Sequence, residues 1–274
     1  MIQPVVSTAG VPAKLIIVPD DALVGVAFAA LRDEDRRYLA DLTELTLMPT
    51  AASIIDPAQF PRRIEPGRTL IVGDPSFRNP EGLDLPRLPA AASEARAIAR
   101  AYAGSQLLLG ADATRKRILE EARHSDVIHI AAHASLSARD ARNSALLLAA
   151  DGPDDGILTL QEIAKTPLRH GPLVVLAGCS TGAAGGGRGA VRSLAYAFLA
   201  AGSRAVVGSL WDVEDEATQV FSTAFHRRIS SGMPPAAALR EAQMEMLRSP
   251  DPRLRHPAAW GAFHLYTSAT GKDE

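Results

Sequence analysis

Cys179 is the chain's only thiol. It ends the apolar run 173–178, and its neighbours Gly178, Ser180, Thr181 and Gly182 are all small. A thiol that attacks an amide needs steric access and nearby backbone N–H groups to hold an oxyanion, and small neighbours permit both. A lone cysteine at a strand end also commonly serves only as a small buried hydrophobe. The base such a thiol needs is an imidazole, and the chain has seven histidines. His133 closes the run 127–133 and is followed by Ala134 and Ser135, again small. His129 shares a strand face with Val127 and Ala131, since alternate residues point the same way, which makes it a core residue. His124, His170 and His226 read as surface or loop residues. His256, before a proline, and His264, inside the last strand, read as structural.

His133 lies 179 − 133 = 46 residues upstream of Cys179, close to the roughly 50 of caspase-type proteases. Side chains at the C-terminal ends of two parallel strands project to the same sheet edge, so this separation can close in space. A Cys–His pair there supports amide hydrolysis: His133 favours the thiolate, then protonates the leaving amine, and water hydrolyses the thioester. A strand-end histidine holding a structural hydrogen bond is the competing reading of His133.

The elements that would position these residues follow from hydrophobic period. Short Val-, Ile- and Leu-rich runs at 14–18, 44–48, 69–72, 106–109, 127–131, 145–149, 173–177, 205–210 and 262–266 read as strands. Helical patterns at 90–102, 113–122, 160–165, 191–201, 216–230 and 235–247 alternate with them. That alternation predicts an α/β fold, a mainly parallel sheet flanked by helices. Thr159 and Glu162 have capping-box spacing, and Pro235 suits a first helical turn. The Pro-, Gly- and Asp-rich run 74–89 reads as a loop or linker between a first part, 1–88, and a second, 89–274. The glycine-rich run 182–189 reads as a mobile loop directly after a strand, where α/β proteins place their sites.

Composition narrows the function classes. The 274 residues carry 29 Lys plus Arg against 31 Asp plus Glu, a net charge of −2, which argues against a nucleic-acid binder. One cysteine excludes an internal disulfide and any multi-cysteine metal site. No apolar run reaches the ~20 residues of a membrane span. The first residues lack the basic and apolar regions of a secretory signal, so a cytoplasmic location is expected. Neither a metal nor an organic cofactor is needed for the thiol chemistry.

Three blocks, residues 125–133 (SDVIHIAAH), 176–182 (LAGCSTG) and 201–215 (AGSRAVVGSLWDVED), together resemble the CHAT domain family, caspase-like cysteine peptidases related to separase. Residues 232–243, 256–263, 17–20 (IVPD) and 71–75 (IVGDP) agree as well, so the resemblance spans nearly the whole chain. It implies a caspase-like three-layer fold with a degenerate caspase-like subdomain at 1–88 and the catalytic one at 89–274. It implies a cysteine endopeptidase with His133 and Cys179 as the dyad, cleaving a specific intracellular protein, and the backbone N–H groups of Ala134 and Cys179 as oxyanion donors. Relatives commonly have Gly where this chain has Ala134; the N–H survives that change. Family members often carry helical repeats or other sensor domains, so activation is expected from a partner or from self-association. Bacterial relatives act in defence pathways by cleaving an effector protein, which suggests such a role by analogy.

In caspase-like folds the wall of the first specificity pocket is built near residues 211–215. A buried carboxylate there would select Arg or Lys before the scissile bond. Asp215 is the first candidate and Asp212 the second; the competing reading makes Asp215 the N-cap of the helix that follows. Trp211 and Trp260 read as core residues. Three rival functions remain. The run 178–182 matches G-x-S-x-G, so a serine hydrolase using Ser180, with Asp212 and His256 or His264, is one. Gly185, Gly187 and Ala190 formally fit a dinucleotide fingerprint, although no preceding strand lies at the right spacing. A catalytically inactive scaffold for protein interaction is the third.

Overall fold

The computed structural model describes residues 11–50, 64, 66–78, 85–135, 144–177 and 194–267. Cys179, Ser180, the glycine-rich run 182–189 and the formal dinucleotide fingerprint lie outside the described residues. Eleven strands are described: β1 (Lys14–Ile17), β2 (Glu44–Leu47), β3 (Thr69–Pro75), β4 (Gln106–Gly110), β5 (Val127–Ala131), β6 (Ala134–Ser135), β7 (Ala145–Leu147), β8 (Ile157–Thr159), β9 (Leu173–Leu176), β10 (Ala205–Ser209) and β11 (Phe263–Thr267). The helices are α1 (Leu39–Leu42), α2 (Pro89–Ala99), α3 (Arg115–Ala122), α4 (Leu160–Lys165), α5 (Leu194–Ala200), α6 (Asp215–Ser230), α7 (Pro235–Leu247), α8 (Pro252–Arg255) and α9 (Pro257–Trp260).

Eight strands form one sheet in the order β1-β2-β11-β10-β9-β5-β3-β4. Every pairing is parallel except β10 with β11. The β5 and β9 strands are buried throughout, as strands covered by helices on both faces must be. Period two shows along β5. Ile128 and Ile130 pack with Ile118, Ile163 and Phe198 from α3, α4 and α5. His129 faces the other layer, where it meets Glu94 of α2 and His226 of α6. The expected core position of His129 is met.

Two sequence expectations change. The run at 145–149 does not join the main sheet: β7 pairs antiparallel with β6 and β8 in a separate three-stranded sheet. Its apolar composition reflects burial, not parallel pairing. With it removed, the strand of His133 and the strand leading to Cys179 are immediate neighbours, β5 against β9. His226 is fully buried, not on the surface. It follows Phe225 on the inward side of α6, and its polar type hid that position.

One sheet runs through both parts of the chain, since β3 pairs with β4 and β5 and β2 pairs with β11. Helix α4 begins with the expected capping box of Thr159 and Glu162, and α7 has Pro235 in its first turn. Gly73 lets α2 lie close on β3: a Cβ there would sit 2.6 Å from Ala95 Cβ and 2.8 Å from the Ala91 carbonyl oxygen. No helix among the described residues is long and apolar enough to cross a membrane.

Candidate active site

His133 stands two residues past the end of β5, at the C-terminal edge of the sheet, half-buried. Ala177 extends the same edge next door, its N–H bonded to the Ile130 carbonyl at 2.9 Å. Cys179 follows two residues later, outside the described residues, so the dyad's separation is not part of the described geometry.

The imidazole of His133 is oriented from outside the sheet. Its Nε2 lies 2.8 Å from the Pro86 carbonyl oxygen. A carbonyl only accepts, so Nε2 carries the proton and the neutral ring keeps its lone pair on Nδ1. Pro86 belongs to a short strap, 86–88, that is latched to β3. Asp74 accepts from Arg87 Nε at 3.0 Å, from Arg87 Nη2 at 2.6 Å and from the Leu88 N–H at 2.7 Å. Asp74 is almost fully buried and sits at φ +47°, a left-handed conformation uncommon outside glycine. Burial pushes its carboxyl pKa up, but the Arg87 and Leu88 bonds, with the charge of Arg87, hold it below the usual range. Such a carboxylate, with three donors, fixes the strap and through it the ring.

Beside His133 lies a cleft with a cavity of ≈ 40 Å³, room for a few water-sized groups. Glu94 from α2, Ala177 past β9, Ser209 at the end of β10, and Asp215 and Thr218 from α6 line it together with His133. Among the described residues that line it there is no lysine or arginine. Asp215 therefore shares a cleft with His133, whereas Asp212 does not line it. Asp215 is exposed, not a buried carboxylate. It is not the helix N-cap either: Glu214 holds that position and Asp215 is the first helical residue.

The buried carboxylate of the cleft is Glu94, 2% exposed. The sequence did carry its signal: Ala91, Glu94, Ala95 and Ile98 fall at the i, i+3, i+4, i+7 spacing of a buried face, with one acid among apolar residues. The Pro86 carbonyl and the Asp74 latch had none, because both depend on contacts between segments that only the fold brings together.

Ala134 opens β6, opposite Leu146. The Leu147 N–H donates to the His133 carbonyl at 3.0 Å, which makes 134–146 a non-hydrogen-bonded pair of the ladder. The Ala134 N–H is thus not used by β7.

Ser180 lies outside the described residues, and the two histidines weighed as its partners have settings of their own. His256 caps α9, its Nδ1 accepting from the Ala258 N–H at 3.2 Å. His264 is buried, and among the described residues neither ring nitrogen has a hydrogen-bond partner. Asp126 sits at the opposite end of β5, accepting from the Arg68 N–H at 2.8 Å. Trp260 is in the core, and Trp211 donates to the Ala258 carbonyl at 2.9 Å. Among the described residues, no group of three or more His, Cys, Asp or Glu is arranged to hold a metal ion.

Comparison with known proteins fixes the family. The sequence model of the CHAT domain matches residues 1–268. The chain belongs to the CHAT domain family. Tetratricopeptide repeat protein 28 of Homo sapiens is 27% identical across 93% of this chain, and its Mus musculus counterpart 26% across 93%. The CHAT chain spans 12% of each of those relatives. Among solved structures, the Arg-specific cysteine proteinase gingipain R superposes with TM-score 0.59 at 11% identity, covering 88% of this chain and 57% of its own. Separase from the Saccharomyces cerevisiae separase–securin complex gives TM-score 0.58 at 16% identity, covering 93% of this chain and 15% of its own. At such identities the likeness is one of fold, and that fold is caspase-like.

Proposed function

We propose that this CHAT domain is a cysteine endopeptidase working through Cys179 and His133. The observation that carries the reading is the orientation of His133. Its Nε2–H is tied to the Pro86 carbonyl, so Nδ1 is the acceptor, at the edge where the neighbouring strand leads to the thiol. In this reading Nδ1 takes the Cys179 proton, and the sulfur attacks the scissile carbonyl carbon. The Ala134 and Cys179 N–H groups hold the oxyanion. Collapse of the intermediate expels the amine, which takes the proton from the imidazolium and leaves a thioester. Water, deprotonated by His133, attacks that thioester and releases the carboxylate and the thiol. Asp215, which lines the cleft and is exposed, favours a cationic side chain before the cut; Asp212, the second candidate, does not line it. The arginine specificity named for gingipain is consistent with that preference. The substrate in this reading is a specific intracellular protein, cleaved in a bacterial defence pathway after activation by a partner or by self-association.

A fluorogenic peptide panel with Arg, Lys, Leu, Met or Asp at the cleavage position tests both levels. The dyad requires activity to vanish in Cys179→Ala and to persist in Ser180→Ala. Cleavage that survives loss of the thiol abandons it in favour of another nucleophile. Preference for a neutral residue discards the carboxylate pocket and leaves the dyad standing.

A further inference from the structure

We propose that Glu94 is the floor of a cation subsite in the cleft, the group that receives the guanidinium or ammonium head of a substrate side chain, with Asp215 at its mouth. The proposal deepens the peptidase reading and rests on it for the identity of the ligand as part of a polypeptide.

Glu94 Oε1 has no hydrogen-bond partner among the described residues, although the side chain is only 3% exposed. His129 Nε2 lies 3.3 Å from it without forming a hydrogen bond. That imidazole is not adjustable. Its Nδ1 lies 3.1 Å from His226 Nε2, and His226 Nδ1 lies 2.8 Å from the Tyr102 hydroxyl. The three rings form a buried row that holds the His129 edge towards Glu94. A carboxylate oxygen has about two acceptor sites, and leaving those of Oε1 unfilled in a buried place costs free energy. A donor-rich cation entering from the cleft fills them, and among the described lining residues no lysine or arginine competes for the position.

The test is calorimetric binding of agmatine, with the neutral N-butylurea as control, to the full chain carrying Cys179→Ala. Agmatine is expected to bind at least tenfold tighter than N-butylurea, and Glu94→Gln, which keeps an oxygen facing His129, is expected to erase that difference. Equal binding of the two compounds to the parent protein, or an unchanged preference in Glu94→Gln, overturns the proposal. If Glu94→Gln does not fold, Asp215→Asn decides: retained preference for agmatine supports Glu94 as the receiver, and its loss assigns the role to Asp215. Because binding requires no thiol, Glu94-dependent capture of agmatine by a chain that cleaves no peptide would keep the subsite and reject only the peptidase reading.

Discussion

His264 offers a perturbation whose size follows directly from its surroundings. It lies on β11, 1% exposed, its ring edge-on to Phe28 at 6.4 Å and to Tyr266 at 6.3 Å. Neither nitrogen is hydrogen-bonded among the described residues, and burial lowers its pKa from 6.5 to about 4. The unfolded chain therefore binds a proton below pH 6.5 that the folded chain refuses until about pH 4. A depressed base costs stability as pH falls through that window, by about 1.4 kcal/mol per pH unit at most. Between pH 7 and pH 5 this amounts to about 2 kcal/mol. His264→Phe removes the titrating group while keeping an aromatic ring. Urea unfolding of both proteins at pH 7, 6 and 5 should show the variant losing about 2 kcal/mol less across the range. Any constant packing change from the larger ring shifts both ends equally and cancels. Identical pH slopes in the two proteins would refute the idea that His264 is a buried, neutral, unpartnered imidazole.

Other perturbations probe the site and its supports. Asp74→Asn removes the charge that latches Arg87; peptidase kcat/KM should fall about tenfold or more, and the His133 ring nitrogens should lose their fixed tautomer by ¹⁵N NMR, with Arg87→Lys milder on both readouts. Gly73→Ala drives a Cβ into Ala95 and the Ala91 carbonyl and should cost about 1–3 kcal/mol in chemical denaturation. Thr159→Ala breaks the capping box of α4 and should cost about 1 kcal/mol by the same measurement.

Much of the fold is legible in the sequence because burial writes itself into hydrophobic period. The run of β9 is continuous and apolar and those of β5 and β10 nearly so, as strands buried between helices are, and α4 and α7 announce their starts through Thr159 and Pro235. Reading stops where pairing partners decide. Residues 145–147 have the composition of an inner strand, yet they pair in a small antiparallel sheet, and period alone does not distinguish the two. The site divides in the same way. His133 and its strand-end position follow from local pattern. Its orienting carbonyl at Pro86 and the Asp74 latch come from segments separated by 133 − 86 = 47 and 133 − 74 = 59 residues, and no local pattern links them. His226 was masked by its own polarity: it sits on a helix face with Phe225, Ser222 and Ile229 buried beside it, and a polar residue there is buried with its neighbours.

The most direct measurement is intact-protein mass spectrometry after incubation with a peptidyl-arginine chloromethyl ketone at neutral pH. A Cys179–His133 dyad predicts one inhibitor per chain, attached at Cys179, absent from Cys179→Ala and strongly slowed in His133→Ala. Labelling of Cys179 at the same rate with and without His133, or no faster than in the urea-unfolded chain, contradicts it.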